Sequence, residues 1–232
     1  MTSDFEIAQL LVALYDGPDA LKAASAPYET FYEPGSGDHG IAYAVVRKPD
    51  ENLILFRGSK SLLDWARDLF ALPTVFTHKV YGPVHAGFSI GLDRAVYDAS
   101  QHLDFANPTA ICGHSLGGAR AGTVTAMILE NYQRDPRQLR RIVFGEPIPG
   151  FKTHADYIRP VESRSYCNTQ DWHVDMVTRA VNYIPPAFAF VRCGAPIKVH
   201  PPHVRIWEEI LDPFALHHIG LYAAALAPKE AA

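Results

Sequence analysis

The chain has 232 residues, 48% of them apolar and 20% charged, with a formal net charge of −4. That length and balance suit one globular domain with a full core, and residues 1–232 read as a single domain. A slightly acidic chain without a basic block has no means of neutralising phosphates, which sets nucleic acid aside, and no run approaches the roughly 20 apolar residues of a transmembrane segment.

The opening stretch, MTSDFEIAQLLVALYDG, predicts a helix. Ser3 and Glu6 have the spacing of a capping box, Phe5, Leu10, Val12 and Leu14 belong to an apolar pattern, and Gly17-Pro18 closes it. The stretch lacks the basic segment, apolar core and cleavage site of a signal peptide. That favours a cytoplasmic chain, or one whose export leader was removed or lies elsewhere. Cys112, Cys167 and Cys193 are odd in number and widely spaced, so buried free thiols are expected rather than a disulfide framework or zinc site.

Two strand-like runs, residues 40–48 and 52–58, flank a PDE turn and read as a hairpin. Residues 62–72 have helical preferences and stop before Pro73. Residues 87–103 place Phe88, Leu92, Ala95, Val96 and Ala99 on one helical side. A short buried strand, Thr109 to Cys112, precedes a small-residue helix over about 117–133, and LRRIVFGEP supplies another apolar strand. Residues 145–163 and 194–203 read as surface loops. From Arg164 the chain looks irregular, ending in a helix over 213–226. Strands alternating with helices imply a mostly parallel sheet covered on both faces.

One stretch carries chemistry: ICGHSLGGARAG, residues 111–122. By chance about one chain in ten of this length holds a GxSxG pattern, so the pattern alone is weak. An apolar strand entering the turn and a helix leaving it make the context of a nucleophile elbow, with Ser115 on the sharp turn. Small neighbours, Gly113, Gly117, Gly118 and Ala119, let strand and helix approach. The competing reading, a phosphate-binding loop at a helix amino terminus, lacks both GK[ST] and GxGxxG.

Around this elbow, GHSLGGA, FRGSKSLLDWARDL, VHAGF and VFGEPIPG stand in an order that resembles the class 3 lipase family, over about residues 40–222. The resemblance implies an α/β-hydrolase fold, with a mostly parallel central sheet and helices on both faces, and a serine esterase acting on lipid or other carboxylic esters. One oxyanion donor is expected at the backbone N–H of Leu116, the residue after the nucleophile. The resemblance puts the other at Ser59, and gives residues 62–69 the place of a lid helix working at a lipid–water interface. A permanently packed surface helix is the alternative there.

In α/β-hydrolases both partners of the serine follow it in the chain. LHHIGLY resembles the family's HSxxxY ending, which makes His217 the base and leaves His218 as the alternative. The acid falls in CNTQDWHVDMVTRAVNYIPP, a stretch longer than the family pattern. Asn168 spaces correctly to Asp171, whereas DMV and the distance to Pro185 favour Asp175, the preferred choice. His114 belongs to the elbow motif and by resemblance points away from the chemistry. His85 has a family match but no arguable catalytic role, and His200 with His203 lacks a third metal ligand. Nucleophile, base and donors require no metal and no cofactor. The expected substrate is an acylglycerol or simpler fatty-acid ester. A phospholipase A1 or feruloyl-type esterase is the alternative, and a non-catalytic lipid-binding domain the distant one. Oligomeric state is not encoded in any pattern found.

Overall fold

The computed structural model describes residues 1–35, 40–58, 75–147, 150–169, 192–200 and 217–228. Helix α1 spans Asp4–Asp16, and the Ser3 Oγ accepts the Glu6 N–H at 3.2 Å. The Glu6 carboxylate is instead engaged by Lys48 Nζ at 2.7 Å. The helix buries Ile7, Ala8, Leu10, Leu11, Ala13 and Leu14, while Phe5 and Val12 are only half-buried. Gly17 at φ 115° ends it and caps α2, Pro18–Ser25. That second helix and strand β1, Glu29–Glu33, carry no strong sequence pattern.

The hairpin forms as expected: β2, Tyr43–Arg47, pairs antiparallel with β3, Asn52–Phe56. After a small antiparallel pair, β4 (Val75–His78) and β5 (Gly82–His85), the helical stretch at 87–103 divides in two. Ile90 is extended and Gly91 is left-handed at φ 79°, so α3, Ala86–Ser89, stops and α4, Leu92–Ser100, begins afresh. Periodicity alone carries across such a break, because both pieces bury apolar residues, Phe88 on the first and Leu92, Ala95, Val96 and Ala99 on the second.

Next come β6 (Thr109–His114), α5 (Leu116–Asn131) and β7 (Leu139–Phe144). The segment expected to be loop at 145–163 contains a helix, α6, Lys152–Ile158. The stretch expected to turn irregular at Arg164 lies inside a strand, β8, Glu162–Asn168. A further short strand, β9, Ile197–Val199, falls within the expected loop 194–203. The terminal helix α7, Ile219–Leu226, starts after His218, so His217 precedes it rather than lying within it.

Among the described residues seven strands form one sheet in the order β1-β2-β3-β6-β7-β8-β9. The β1–β2 and β2–β3 pairs are antiparallel, and every later neighbour is parallel. Alternation sorts the strand side chains into two cores. Tyr43, Val45, Ile54, Phe56, Ile111 and Val143 pack with α4, α5 and α6, whereas Val46, Leu53, Leu55, Cys112, Ile142 and Phe144 pack with α1, α2 and α7. Cys112 and Cys193 are buried free thiols; Cys167 is free and half-buried. No helix among the described residues is long and apolar enough to cross a membrane.

Candidate active site

At the carboxyl end of β6 the chain turns directly into α5, and Ser115 sits on the turn with φ 57° and ψ −129°. For a residue with a Cβ this conformation costs about 1–3 kcal/mol, so the surroundings must impose it. The Ser115 N–H is held by the Phe144 carbonyl at 2.9 Å, and the Ser115 carbonyl accepts the Gly118 N–H at 2.8 Å. A serine in the N-cap position commonly spends its hydroxyl on the first turn of its own helix. Ser115 makes no such side-chain bond.

Close approach explains the glycines around it. A Cβ on Gly113 would stand 2.2 Å from the Gly117 carbonyl oxygen, and one on Gly117 would stand 2.2 Å from that of Phe56. Strand and helix can therefore meet only with hydrogens at these positions. Behind the turn, Arg141 and Glu146 form a buried pair at 2.6 Å, 1% and 2% exposed. The pair fixes the chain just after β7, with the Glu146 Cβ against Gly118. It also sets Gly145, whose φ of 54° turns the chain beside the site.

His217 comes to this same corner. Its ring lies so close to Gly145 that a Cβ there would meet Cε1 at 2.9 Å and Nδ1 at 3.3 Å. The Tyr222 hydroxyl crowds the same point at 2.8 Å, and accepts the Asn168 N–H at 3.3 Å at the end of β8. His217 is buried; His218, the cap of α7, is exposed. Of the two neighbouring histidines, it is thus His217 that faces the interior near the elbow.

A polar chain runs beneath the turn. The Gly58 N–H donates to the Tyr15 hydroxyl at 3.0 Å. Tyr15 Oη lies 2.9 Å from His114 Nδ1, and His114 Nε2 lies 2.7 Å from the His217 carbonyl oxygen. A carbonyl only accepts, so Nε2 carries a proton, and Nδ1 is the atom placed to take the Tyr15 O–H. Burial pushes the Tyr15 phenol well above its usual pKa, with the Gly58 bond and the Arg57 charge pulling partly back, so the hydroxyl keeps its proton to donate.

Ser115, Leu116 and His217 are therefore gathered at the carboxyl ends of β6 and β7, Leu116 as the first residue of α5. Ser59, the lid segment 62–69, Asp171, Asp175 and His203 lie outside the described residues. Gly58, one residue before Ser59, does touch the elbow: a Cβ there would lie 2.8 Å from the Ser115 Cβ. His85 is buried and accepts the Gly87 N–H at 3.2 Å, a local cap. His200 Nδ1 lies 3.1 Å from Thr169 Oγ1. Tyr15 escaped the sequence reading, since nothing in a helical YDG tells which distant amide its hydroxyl meets.

Strand, turn and helix here follow the plan of the α/β-hydrolases, in which the nucleophile crowns a central parallel strand. Within that fold the chain belongs to the class 3 lipase family, whose model, Lipase (class 3), matches residues 53–183, more than half of the chain. A lipase of Rhizomucor miehei is 31% identical over 155 residues, covering 61% of this chain and 39% of that one. Among solved structures, the triacylglyceride lipase of Rhizomucor miehei superposes with a TM-score of 0.63 at 22% identity, over 84% of this chain and 78% of that chain. A lipase from Rhizopus microsporus var. chinensis gives 0.64 at 20% identity, over 86% and 74%. These superpositions establish the fold.

Proposed function

We propose that this chain hydrolyses carboxylic esters, most simply acylglycerols or fatty-acid esters, through an acyl-enzyme on Ser115. The observation that carries the reading is the Ser115 turn itself: a strained backbone, a hydroxyl not spent on its own helix, and His217 packed at the same corner. In the proposed cycle Ser115 Oγ attacks the ester carbonyl while His217 takes its proton. The oxyanion is held by the Leu116 N–H, at the positive end of α5, and by Ser59. Collapse breaks the ester bond, and His217 returns the proton to the leaving alcohol. Water then repeats the sequence on the acyl-enzyme, releasing acid and serine. Asp175, with Asp171 in reserve, orients the imidazole and stabilises its charged form.

The substrate class draws support from the relatives. One superposed structure, at TM-score 0.64, is a triacylglycerol lipase whose catalytic centre is a serine-protease triad. Another, at 0.61, is a fungal lipase–inhibitor complex from which a model of interfacial activation was drawn. Both are about 20% identical to this chain. A lid over residues 62–69 and work at a lipid–water interface belong to the same proposal, as does a single domain over residues 1–232. A cytoplasmic setting is supported by the three free thiols.

The deciding experiment is hydrolysis of p-nitrophenyl esters from acetate to palmitate, below and above the solubility limit, beside Ser115→Ala. Loss of about three orders of magnitude or more in the variant is expected. Undiminished activity in the variant removes Ser115 from the reaction. A rate jump at the interface supports the lid, and its absence makes the protein a plain esterase.

A further inference from the structure

Gly58 and His217 both stand at the elbow, and neither belongs to a strand of the described sheet. Strand β3 ends at Phe56, and beyond it Arg57 N–H donates to the Ala42 carbonyl at 3.0 Å. One residue further on, Gly58 donates its N–H sideways to the Tyr15 hydroxyl. His217 likewise lies before α7 begins, and its carbonyl is anchored by His114 Nε2. His114 is the last residue of β6, directly before the nucleophile.

We propose that Tyr15 is a positioning residue for ester hydrolysis: its hydroxyl, acting with His114, fastens Gly58 and the backbone of His217 to the nucleophile elbow. The proposal rests on the reading of Ser115 and His217 as nucleophile and base. Every bond in the chain has one direction, from Gly58 N–H to Tyr15 Oη, from Tyr15 O–H to His114 Nδ1, and from His114 Nε2–H to the His217 carbonyl. Rotating the Tyr15 hydroxyl away leaves His114 Nδ1 without that donor. Exchanging the His114 tautomer takes the donor from the His217 carbonyl.

The rings are also packed as a unit. Tyr15 meets His114 edge-on at 5.6 Å between centroids, His114 lies 4.9 Å from the His217 ring, and Tyr222 closes the group 6.0 Å from His114. Space is equally tight at the other end: a Cβ on Gly58 would stand 2.6 Å from the Tyr15 hydroxyl and 2.8 Å from the His114 carbonyl oxygen. A displacement of the phenol therefore moves Gly58, which is itself packed against the Ser115 Cβ. Misplacing a reacting or stabilising group by about 1 Å can cost on the order of a hundredfold in rate, and losing an oxyanion donor outright costs a hundredfold or more. The Tyr15 hydroxyl is committed to Gly58 and His114, so its effect is expected on the transition state rather than on binding.

The test compares Tyr15→Phe with the parent on p-nitrophenyl acetate, with active sites counted by fluorophosphonate titration and melting followed separately. Tyr15→Phe keeps the ring against His114 and removes only the hydroxyl. We expect kcat per titrated site to fall about tenfold with KM little changed, and the fluorophosphonate reaction to slow by a similar factor. His114→Leu should lose as much or more, whereas His114→Gln, whose amide can accept at one atom and donate at the other, should lose less. The Tyr15→Phe/His114→Leu pair should fall no lower than His114→Leu alone, because both act through one chain. If Tyr15→Phe folds too poorly to assay, the Leu and Gln variants at position 114 decide. A lowered melting temperature with kcat per site unchanged overturns the proposal and leaves Tyr15 a structural residue. Ser115→Ala run in parallel separates the two readings: activity surviving there, or a fluorophosphonate adduct elsewhere, overturns the site itself.

Discussion

The two ends of the parallel strands are built on opposite principles. At the amino ends of β3, β6 and β7, buried polar groups are satisfied by one another. Arg140 meets both oxygens of Glu51 at 2.7 Å, Thr2 donates its N–H to Glu51 at 2.9 Å, and the Thr2 carbonyl accepts from Arg140 at 2.8 Å. Asn52 exchanges bonds with the Asp104 backbone at 2.8 and 3.1 Å. At the carboxyl ends the same strands terminate in a serine at φ 57° and in glycines packed without room for a methyl group. Strain persists only where its surroundings over-determine it. The matched end supplies a rigid base, so the strained end can be spent on holding a hydroxyl ready.

The sharpest way to break this contrast is to put bulk into the strained end. Gly117→Val would drive a side chain into the Phe56 carbonyl, 2.2 Å from the first added carbon. Loss of about 4 kcal/mol or more, or no folded protein at all, is expected in thermal and denaturant melts. A stable, fully active Gly117→Val protein would mean that helix and strand need not approach so closely. At the matched end, Glu51→Ala strands the Arg140 charge in the interior, which costs about 3–5 kcal/mol. The ester-hydrolysis kcat per titrated site should nevertheless stay at the parent value. A fall in kcat there would show that the two ends are not separable.

How much of this was legible in the sequence depended on the range of the interactions. The elbow, the hairpin and the capped first helix rest on residues close in sequence, such as Ser3 with Glu6 or Gly113 with Gly117, and all three stood out. Strand β8 did not, because ESRSYCN mixes charge with aromatic and polar groups. Its partners come from far away: Arg164 Nη1 meets Asp4 at 2.8 Å, and Tyr166 donates to the same carboxylate. The preference for His217 over His218 came from the resemblance of LHHIGLY to a family ending and not from the local pattern, since neighbours in a chain differ only by which side the fold turns inward. Tyr15 lies 43 residues from Gly58 and 99 from His114, so only the folded chain brings them together.

One group belongs to neither end. His154 on α6 is fully buried against Gly150 and Tyr81, and neither ring nitrogen has a hydrogen-bond partner among the described residues. Burial, reinforced by the Arg141 charge, lowers its pKa from 6.5 to about 4. The unfolded chain thus takes up this proton as pH falls through 6.5, while the folded protein resists until about 4. Stability is fully present above 6.5 and declines between these values, by about 3 kcal/mol in all. In His154→Phe, which keeps a ring at the site, this part of the acid sensitivity should vanish. Stability against urea, compared at pH 7 and pH 4.5, checks it. An unchanged pH slope in the variant would assign the acid sensitivity to other groups.

The smallest expected effect bears most directly on the contrast, because α1 joins the two ends. At its start Thr2 is bonded to Arg140 and Glu6 is linked to Thr2 through Lys48, and its last turn carries Tyr15 to the elbow. Thirteen helical residues rise about 20 Å, close to the span of the β3 segment from Glu51 to Arg57, so one helix reaches from edge to edge. Ser3→Ala removes the cap on Glu6 and should cost about 1 kcal/mol in stability. The helix remains clamped by Ile7, Leu11 and Leu14, each wholly buried. A frayed first turn should therefore leave Tyr15 where it is, and kcat per titrated site unchanged. If kcat falls with stability, α1 transmits disorder from the matched end to the strained one, and the rigidity of the elbow has to be traced to the cap of a helix whose far end merely touches it.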